Sequence, residues 1–264
     1  MRRHVTASMS LDVPVPSDLV FAIAVARTGA DVSETLSIML DGEPVFADEI
    51  DDSHGTRLHR VTVGVGKLDV AYEATVEGRG APVPASPRHE VRYLRPSRYA
   101  ESDELAATAF AEFEGLEAMG LLTGISSWVG THLAYVPGSS EPTDGASQTF
   151  LARQGVCRDY AHLCVALLRA RGVPARLVSV YAPGLVPMDF HAVCEAYIDG
   201  LWWVVDPTTL APRATMLRIA TGRDAADTAF LTTVEGQADL QTLDVTATAD
   251  ELPDDDLTVP MQLG

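Results

Sequence analysis

Residues 155–163 read Gly155-Val156-Cys157-Arg158-Asp159-Tyr160-Ala161-His162-Leu163, and the fold turns on how this stretch is placed. A helical pattern covers residues 156–171, with Ala161, Cys164, Val165 and Leu168 at three- and four-residue steps and Gly172 and Pro174 as stop signals. Cys157 therefore opens a helix directly after a glycine. Unpaired backbone N–H groups and the helix dipole at such an end favour a thiolate, so this thiol is placed to be a nucleophile. The same N–H groups, that of Cys157 included, suit the oxyanion of a tetrahedral intermediate. The bland alternative is a small buried side chain, because free cysteine is among the most buried residue types.

Downstream lie three strand-like runs, residues 175–181, 191–198 and 201–205, the last two joined by the turn Asp199-Gly200. His191 begins the second run and Asp206 ends the third. Antiparallel partners around a tight turn bring their outer ends side by side, so imidazole and carboxylate come within reach of each other. The set is then thiol, base and orienting acid: the histidine takes the thiol proton and later returns it to the leaving amine, while the carboxylate fixes the imidazole tautomer. The spacing of Cys157, His191 and Asp206 offers no paired i, i+4 metal ligands, and there is no D-x-[DN]-x-[DN]-G loop for calcium. No cofactor and no metal are expected.

Upstream, as far as about Gly78, the pattern is one of period two punctuated by turns, with residues 4–9 alternating, 20–26 an apolar run, 36–40 ahead of Asp41-Gly42, and 60–65 and 70–76 continuing it. This predicts a small antiparallel β-sandwich ahead of an α+β core. Pro82, Pro84, Pro87 and Pro96 mark residues 78–98 as a connection that interrupts helices and strands. Ser102-Asp103-Glu104 starts a helix with Leu105, Ala109, Phe113 and Leu116 on its apolar side, and a second helix is expected over residues 125–135. After the core, residues 216–264 read as an extension with a strand over residues 240–248 and a mobile acidic tail over residues 250–256. The expected units are thus 1–97, 98–215 and 216–264.

Four motifs fall in one order: Gly155-Val156-Cys157-Arg158-Asp159-Tyr160-Ala161; Leu168-Arg169-Ala170-Arg171-Gly172-Val173-Pro174-Ala175-Arg176; His191-Ala192; and Trp203-Val204-Val205-Asp206-Pro207-Thr208. Together they resemble the core of the transglutaminase-like superfamily, and the β-rich start and Gly222-Arg223-Asp224-Ala225-Ala226-Asp227 resemble bacterial members with an N-terminal β domain. The resemblance implies a papain-like cysteine-protease architecture, with the nucleophile-bearing helix packed on an antiparallel sheet. It makes Cys157 the nucleophile, His191 the general base and acid, and Asp206 the orienting carboxylate. Where the family carries a tryptophan beside the histidine, this chain has Val193 followed by Cys194, which changes the wall next to the imidazole. The implied activity is acyl transfer or hydrolysis at peptide or protein amides through a thioester, foremost as a cysteine peptidase or amidase. A protein-crosslinking transglutaminase and a catalytically idle peptide-binding module are the alternatives.

Other residues near these motifs have plainer readings. Cys164 shares a helix face with Cys157 and, like Cys194, reads as core. Arg158 and Asp159 read as polar groups holding the loop at the helix start. Of Trp202 and Trp203, on opposite faces of a strand, one reads as core and the other as a cleft residue. Tyr135 could donate to the oxyanion, but reads first as a core tyrosine.

Charge narrows the partners. The 264 residues carry 19 Lys plus Arg against 37 Asp plus Glu, a net charge of −18 that repels nucleic-acid phosphates and anionic lipid surfaces. No apolar run approaches the ~18 residues needed to span a bilayer. The start, Met1-Arg2-Arg3-His4-Val5-Thr6, lacks the apolar stretch of a secretory signal, which predicts a cytoplasmic protein. Three cysteines without a C-x-x-C spacing suggest neither a disulfide framework nor a zinc ribbon. A peptide or protein substrate, neutral or cationic, is the expected partner.

Overall fold

The computed structural model describes residues 1–84 and 86–264; Ala85, within the 78–98 connection, lies outside the described residues. Strict alternation builds the first sheet. The strand β1 (Arg2–Phe21) turns Val5, Ala7, Met9, Leu11 and Val13 inward and leaves the residues between them at least partly open, as a period of two requires. Along one side of it run β5 (Arg57–Val63) and β6 (Gly66–Glu77), end to end; along the other runs β13 (Leu231–Ala249). The sheet continues past β6 with β2 (Asp31–Leu40) and β3 (Glu43–Pro44), and past β5 with β4 (Asp48–Asp51), all antiparallel. Register shifts between Ser10 and Leu19 mark bulges, which bend a sheet, and both halves enclose one core. The expected sandwich is thus built from a single bent sheet.

The second unit is α+β. Its antiparallel sheet has the order β11 (Leu201–Val205), β10 (Phe190–Ile198), β9 (Ala175–Tyr181), β12 (Leu217–Gly222). The helix α5 (Cys157–Ala170) packs on one face, against Ala175, Cys194, Ala196 and Val205. Val178, Val180, Val193 and Val204 fill the other face with Met216 and Leu263. Every residue from Asp159 to Arg169 is buried, because α2 (Ala106–Glu112), α3 (Ala118–His132) and α4 (Ala146–Ala152) cover the rest of α5. A helix enclosed on all sides must satisfy its polar side chains internally. Arg169 does so by donating to the carbonyls of Ala175, Arg95 and Arg223, and Tyr160 by donating to that of Leu133.

The two sheets are joined through their cores. Tyr181, Leu217, Ile219 and Ala220 share the apolar cluster of the first sheet, the Tyr181 hydroxyl donates to Ile23 O at 2.8 Å, and Ala26 N donates to Arg218 O at 2.8 Å. Beside this seam Glu195 is buried between Arg176 and Arg218, at 2.6 and 2.7 Å. Burial alone would raise that carboxyl, but the two guanidinium groups outweigh it and hold it at about 2.

Several expectations change here. The Pro-rich connection contains a helix, α1 (Pro87–Leu94): Pro87 sits in its first turn, where a missing N–H costs nothing, and Ser86 Oγ accepts from Arg88 N at 3.4 Å. Residues 216–264 are divided between the two sheets, β12 completing the second and β13 flanking β1, instead of standing apart. The acidic tail is tied down, because Arg213 binds the Asp255 carboxylate through Nε and Nη2 and the carbonyls of Asp256 and Val259 through Nη2. Beyond it, Met261 O accepts from Val204 N at 2.8 Å and Leu263 is buried. No described helix is long and apolar enough to cross a membrane.

Candidate active site

Cys157 is the first residue of α5 and, unlike Cys164 and Cys194, is only partly buried. Its position is fixed from both sides. The short parallel pair β7 (Ala134–Tyr135) and β8 (Gln154–Gly155) delivers the chain to the helix, and Asp159 Oδ2 turns back to accept from Val156 N at 2.8 Å. Gly155 is required by that turn, since a Cβ there would lie 2.6 Å from Asp159 Cβ. Asp159 Oδ1 accepts from Ser140 Oγ at 2.9 Å, and Arg158 Nη2 donates to Ser140 Oγ and Glu141 O at 2.6 and 2.7 Å. Arg158 and Asp159 thus hold the loop to the helix start, as their sequence context suggests.

His191 and Asp206 come together as the strand register predicts. His191 Nε2 lies 2.8 Å from Asp206 Oδ2, and both residues are 2% exposed. Asp206 is itself held by Thr208, whose backbone N and Oγ1 donate to Oδ1 at 3.0 and 2.6 Å. Burial would lower the imidazole, but the charge and hydrogen bond of Asp206, helped by the nearby Cys157, raise it to about 10. His191 Nδ1 has no hydrogen-bond partner among the described residues. The ring thus turns one nitrogen to the carboxylate and leaves the other unpaired, and His191 and Cys157 line the same cleft. The three residues singled out in the sequence are gathered in one place.

The remaining candidates divide. Cys164 and Cys194 are fully buried, and burial pushes both thiols well up, so neither is a nucleophile at neutral pH. Tyr135 departs from its reading as core. The helix expected over residues 125–135 ends at His132, and Tyr135 stands 39% exposed in β7, opposite Gly155. Burial raises its phenol to about 12 and a charge on Cys157 adds to the shift, whereas the backbone of Cys157 opposes it through a hydrogen bond. Val193 and Cys194 face the two apolar clusters of the sheet and do not line the cleft, so the wall beside His191 is set by Phe190 and Ala192. Trp202 is buried beneath the Arg176 guanidinium, 3.8 Å from ring centroid to Cζ, and Trp203 packs on the helical side; neither lines the cleft.

Cys157 and His191 open into a cleft of about 520 Å³, within the range of ligand sites. Its lining comes from the second sheet through Leu177, Phe190 and Ile219, and from the first sheet and the segments flanking it through Ala22, Phe230 and Leu243. Asp189 lines it next to the histidine. Sequence reasoning missed Thr208, although Asp206-Pro207-Thr208 carries the signature of a carboxylate that caps its own turn. It also missed the residues from β13, for which no local signal existed. Among the described residues no group of three or more His, Cys, Asp or Glu side chains is arranged to hold a metal ion.

Comparison with known proteins bears on the family and the fold. A family model described as the transglutaminase-like superfamily matches residues 117–207. A Cytophaga hutchinsonii protein of known crystal structure, described as a candidate cysteine protease, is 31% identical; the superposition covers 100% of this chain and 94% of that one, with a TM-score of 0.85. An uncharacterized protein of Mycobacterium leprae is 28% identical over 148 residues, 52% of this chain and 53% of that protein. One from Mycobacterium tuberculosis is 41% identical over 61 residues, 23% of this chain and 19% of that protein. The chain thus spans about half the length of the first of these curated relatives and a fifth of the second.

Proposed function

The chain belongs to the transglutaminase-like superfamily, and from that premise we propose that it is a cysteine-dependent enzyme acting on peptide or protein amides, foremost as a peptidase or amidase. The observation that carries the reading is the buried His191–Asp206 pair, 2.8 Å apart, with the second ring nitrogen unpaired and Cys157, at a helix N-terminus, lining the same cleft. In the proposed reaction His191 takes the thiol proton, Cys157 Sγ bonds to the carbonyl carbon as the C=O π pair moves onto oxygen, and the backbone N–H groups opening α5 receive the oxyanion. The C–N bond then breaks while the His191 imidazolium gives its proton to the departing amine. Water, deprotonated by His191, attacks the thioester and restores the thiol. Asp206 holds the ring in place, itself held by Thr208. An amine in place of water would make the product a crosslink.

The experiment is intact-protein and peptide mass spectrometry after incubation with a peptide library. A covalent acyl adduct on Cys157, with new peptide ends or released ammonia, is the expected result. The Cys157→Ala variant should fold with an unchanged circular dichroism spectrum and form no adduct. Turnover by that variant would overturn the reading.

A further inference from the structure

The cleft has a feature that acyl-transfer chemistry alone does not require. An apolar part of its lining comes from the first sheet and the segments flanking it: Ala22, Phe230, Leu231 and Leu243. Phe230 stacks on Phe190, with centroids 5.5 Å apart and planes at 28°, and Phe190 directly precedes His191. Phe190, Phe230, Leu231 and Leu243 are all only partly buried, so apolar surface remains for an incoming group to cover. This lining is rigid where it matters. Ala22 N donates to Phe230 O at 3.0 Å, and the core shared by Tyr181 and Ile219 fixes the two sheets together. A preformed, half-wet apolar pocket beside a nucleophile selects a side chain of matching character, because its cost of organisation is already met.

We infer that the first sheet and the loop leading into it supply the specificity subsite of the enzyme: the apolar surface formed by the stacked Phe190 and Phe230 with Leu231 and Leu243 takes an aromatic or large aliphatic side chain next to the scissile amide. The substrates are then peptides with a bulky apolar residue at that position, and Phe230 is a specificity-determining residue. This inference rests on the function proposed above. It also gives the β domain a role in recognition, since β13 and the segments beside it contribute to the cleft lining.

The test uses the full chain and three thiol reagents: iodoacetamide, and two peptidyl chloromethyl ketones that differ only in carrying phenylalanine or glycine next to the reactive carbon. In the wild type the phenylalanyl reagent should alkylate Cys157 at least about tenfold faster than the glycyl one, the scale at which a fitted apolar pocket discriminates. In Phe230→Ala that ratio should fall towards one, and in Phe230→Leu it should be partly kept. Iodoacetamide reports whether the thiol remains reachable in each variant, so a misfolded Phe230→Ala is recognised and Phe230→Leu then decides. Labelling by iodoacetamide with a phenylalanyl-to-glycyl ratio near one, or a ratio indifferent to both substitutions, overturns the subsite alone. If no reagent labels Cys157 in the native wild type, the proposed function fails and the subsite with it.

Discussion

At the scale of single residues, the His191–Asp206 contact makes the sharpest demands. Asp206→Asn preserves shape but removes the charge that holds the imidazolium and its tautomer, and turnover should fall by on the order of 10³- to 10⁴-fold. The same pair links stability to pH. His191 is raised to about 10 in the folded chain, above the ~6.5 of a free histidine, so the folded state binds the proton more tightly than the unfolded state does. Its contribution is complete below pH ~6.5 and is lost as the pH climbs through about 10. Urea midpoints of the wild type should therefore drop across that window relative to those of Asp206→Asn, and parallel curves would refute the linkage. Sequence made these residues legible because each ends or begins an element, where register and helix polarity dictate position. Tyr135 was not legible in the same way, since a two-residue strand pair, Ala134 and Tyr135 with Gln154 and Gly155, turns it from core to partly exposed surface and leaves no periodic trace.

Elements act on the site through close approaches. Gly130 lies in α3, where glycine is normally worse than alanine by about 1 kcal/mol. A Cβ there would lie 2.9 Å from Pro207 O, one residue beyond Asp206, so the helix can reach this strand end only with a bare Cα. Gly130→Ala should therefore reduce turnover instead of simply stabilising the helix; unchanged kinetics with a raised melting temperature would show that Pro207 can yield. The tail is a second such element. Arg213 is 4% exposed and binds Asp255 and two tail carbonyls, so Arg213→Ala leaves these groups without their partner and frees residues 250–264. We expect a loss of about 2–4 kcal/mol in urea unfolding, with new cleavage in the tail by a nonspecific protease. Acidic composition alone reads this segment as mobile, because the basic side chain that neutralises it is contributed by a distant turn.

At the scale of the whole molecule, charge and domain arrangement decide which substrates reach the site. A net charge of −18, with Asp189 lining the cleft, should draw cationic peptides and repel acidic ones. Raising salt from about 10 mM to about 150 mM shortens the screening length from ~30 to ~8 Å. Over that range kcat/KM should fall for a cationic peptide and rise for an acidic analogue. Equal values for both at the lower salt would refute steering. The two sheets meet through shared apolar contacts and backbone hydrogen bonds, so the chain presents one cleft whose lining comes from both sheets and the segments flanking them.

By itself, the sequence determined the antiparallel β start, the helix opening at Cys157, and the strand ends carrying His191 and Asp206. Periodicity, glycine and proline signals and turn lengths are local, and each of these features is local too. Only the tertiary structure decided that the last long strand flanks the first, that the acidic tail is pinned by Arg213, and that Phe230 and Leu243 line the same cleft as the nucleophile. Those contacts join residues far apart in the chain, and their energy comes from burying surfaces that meet only when both sheets are formed.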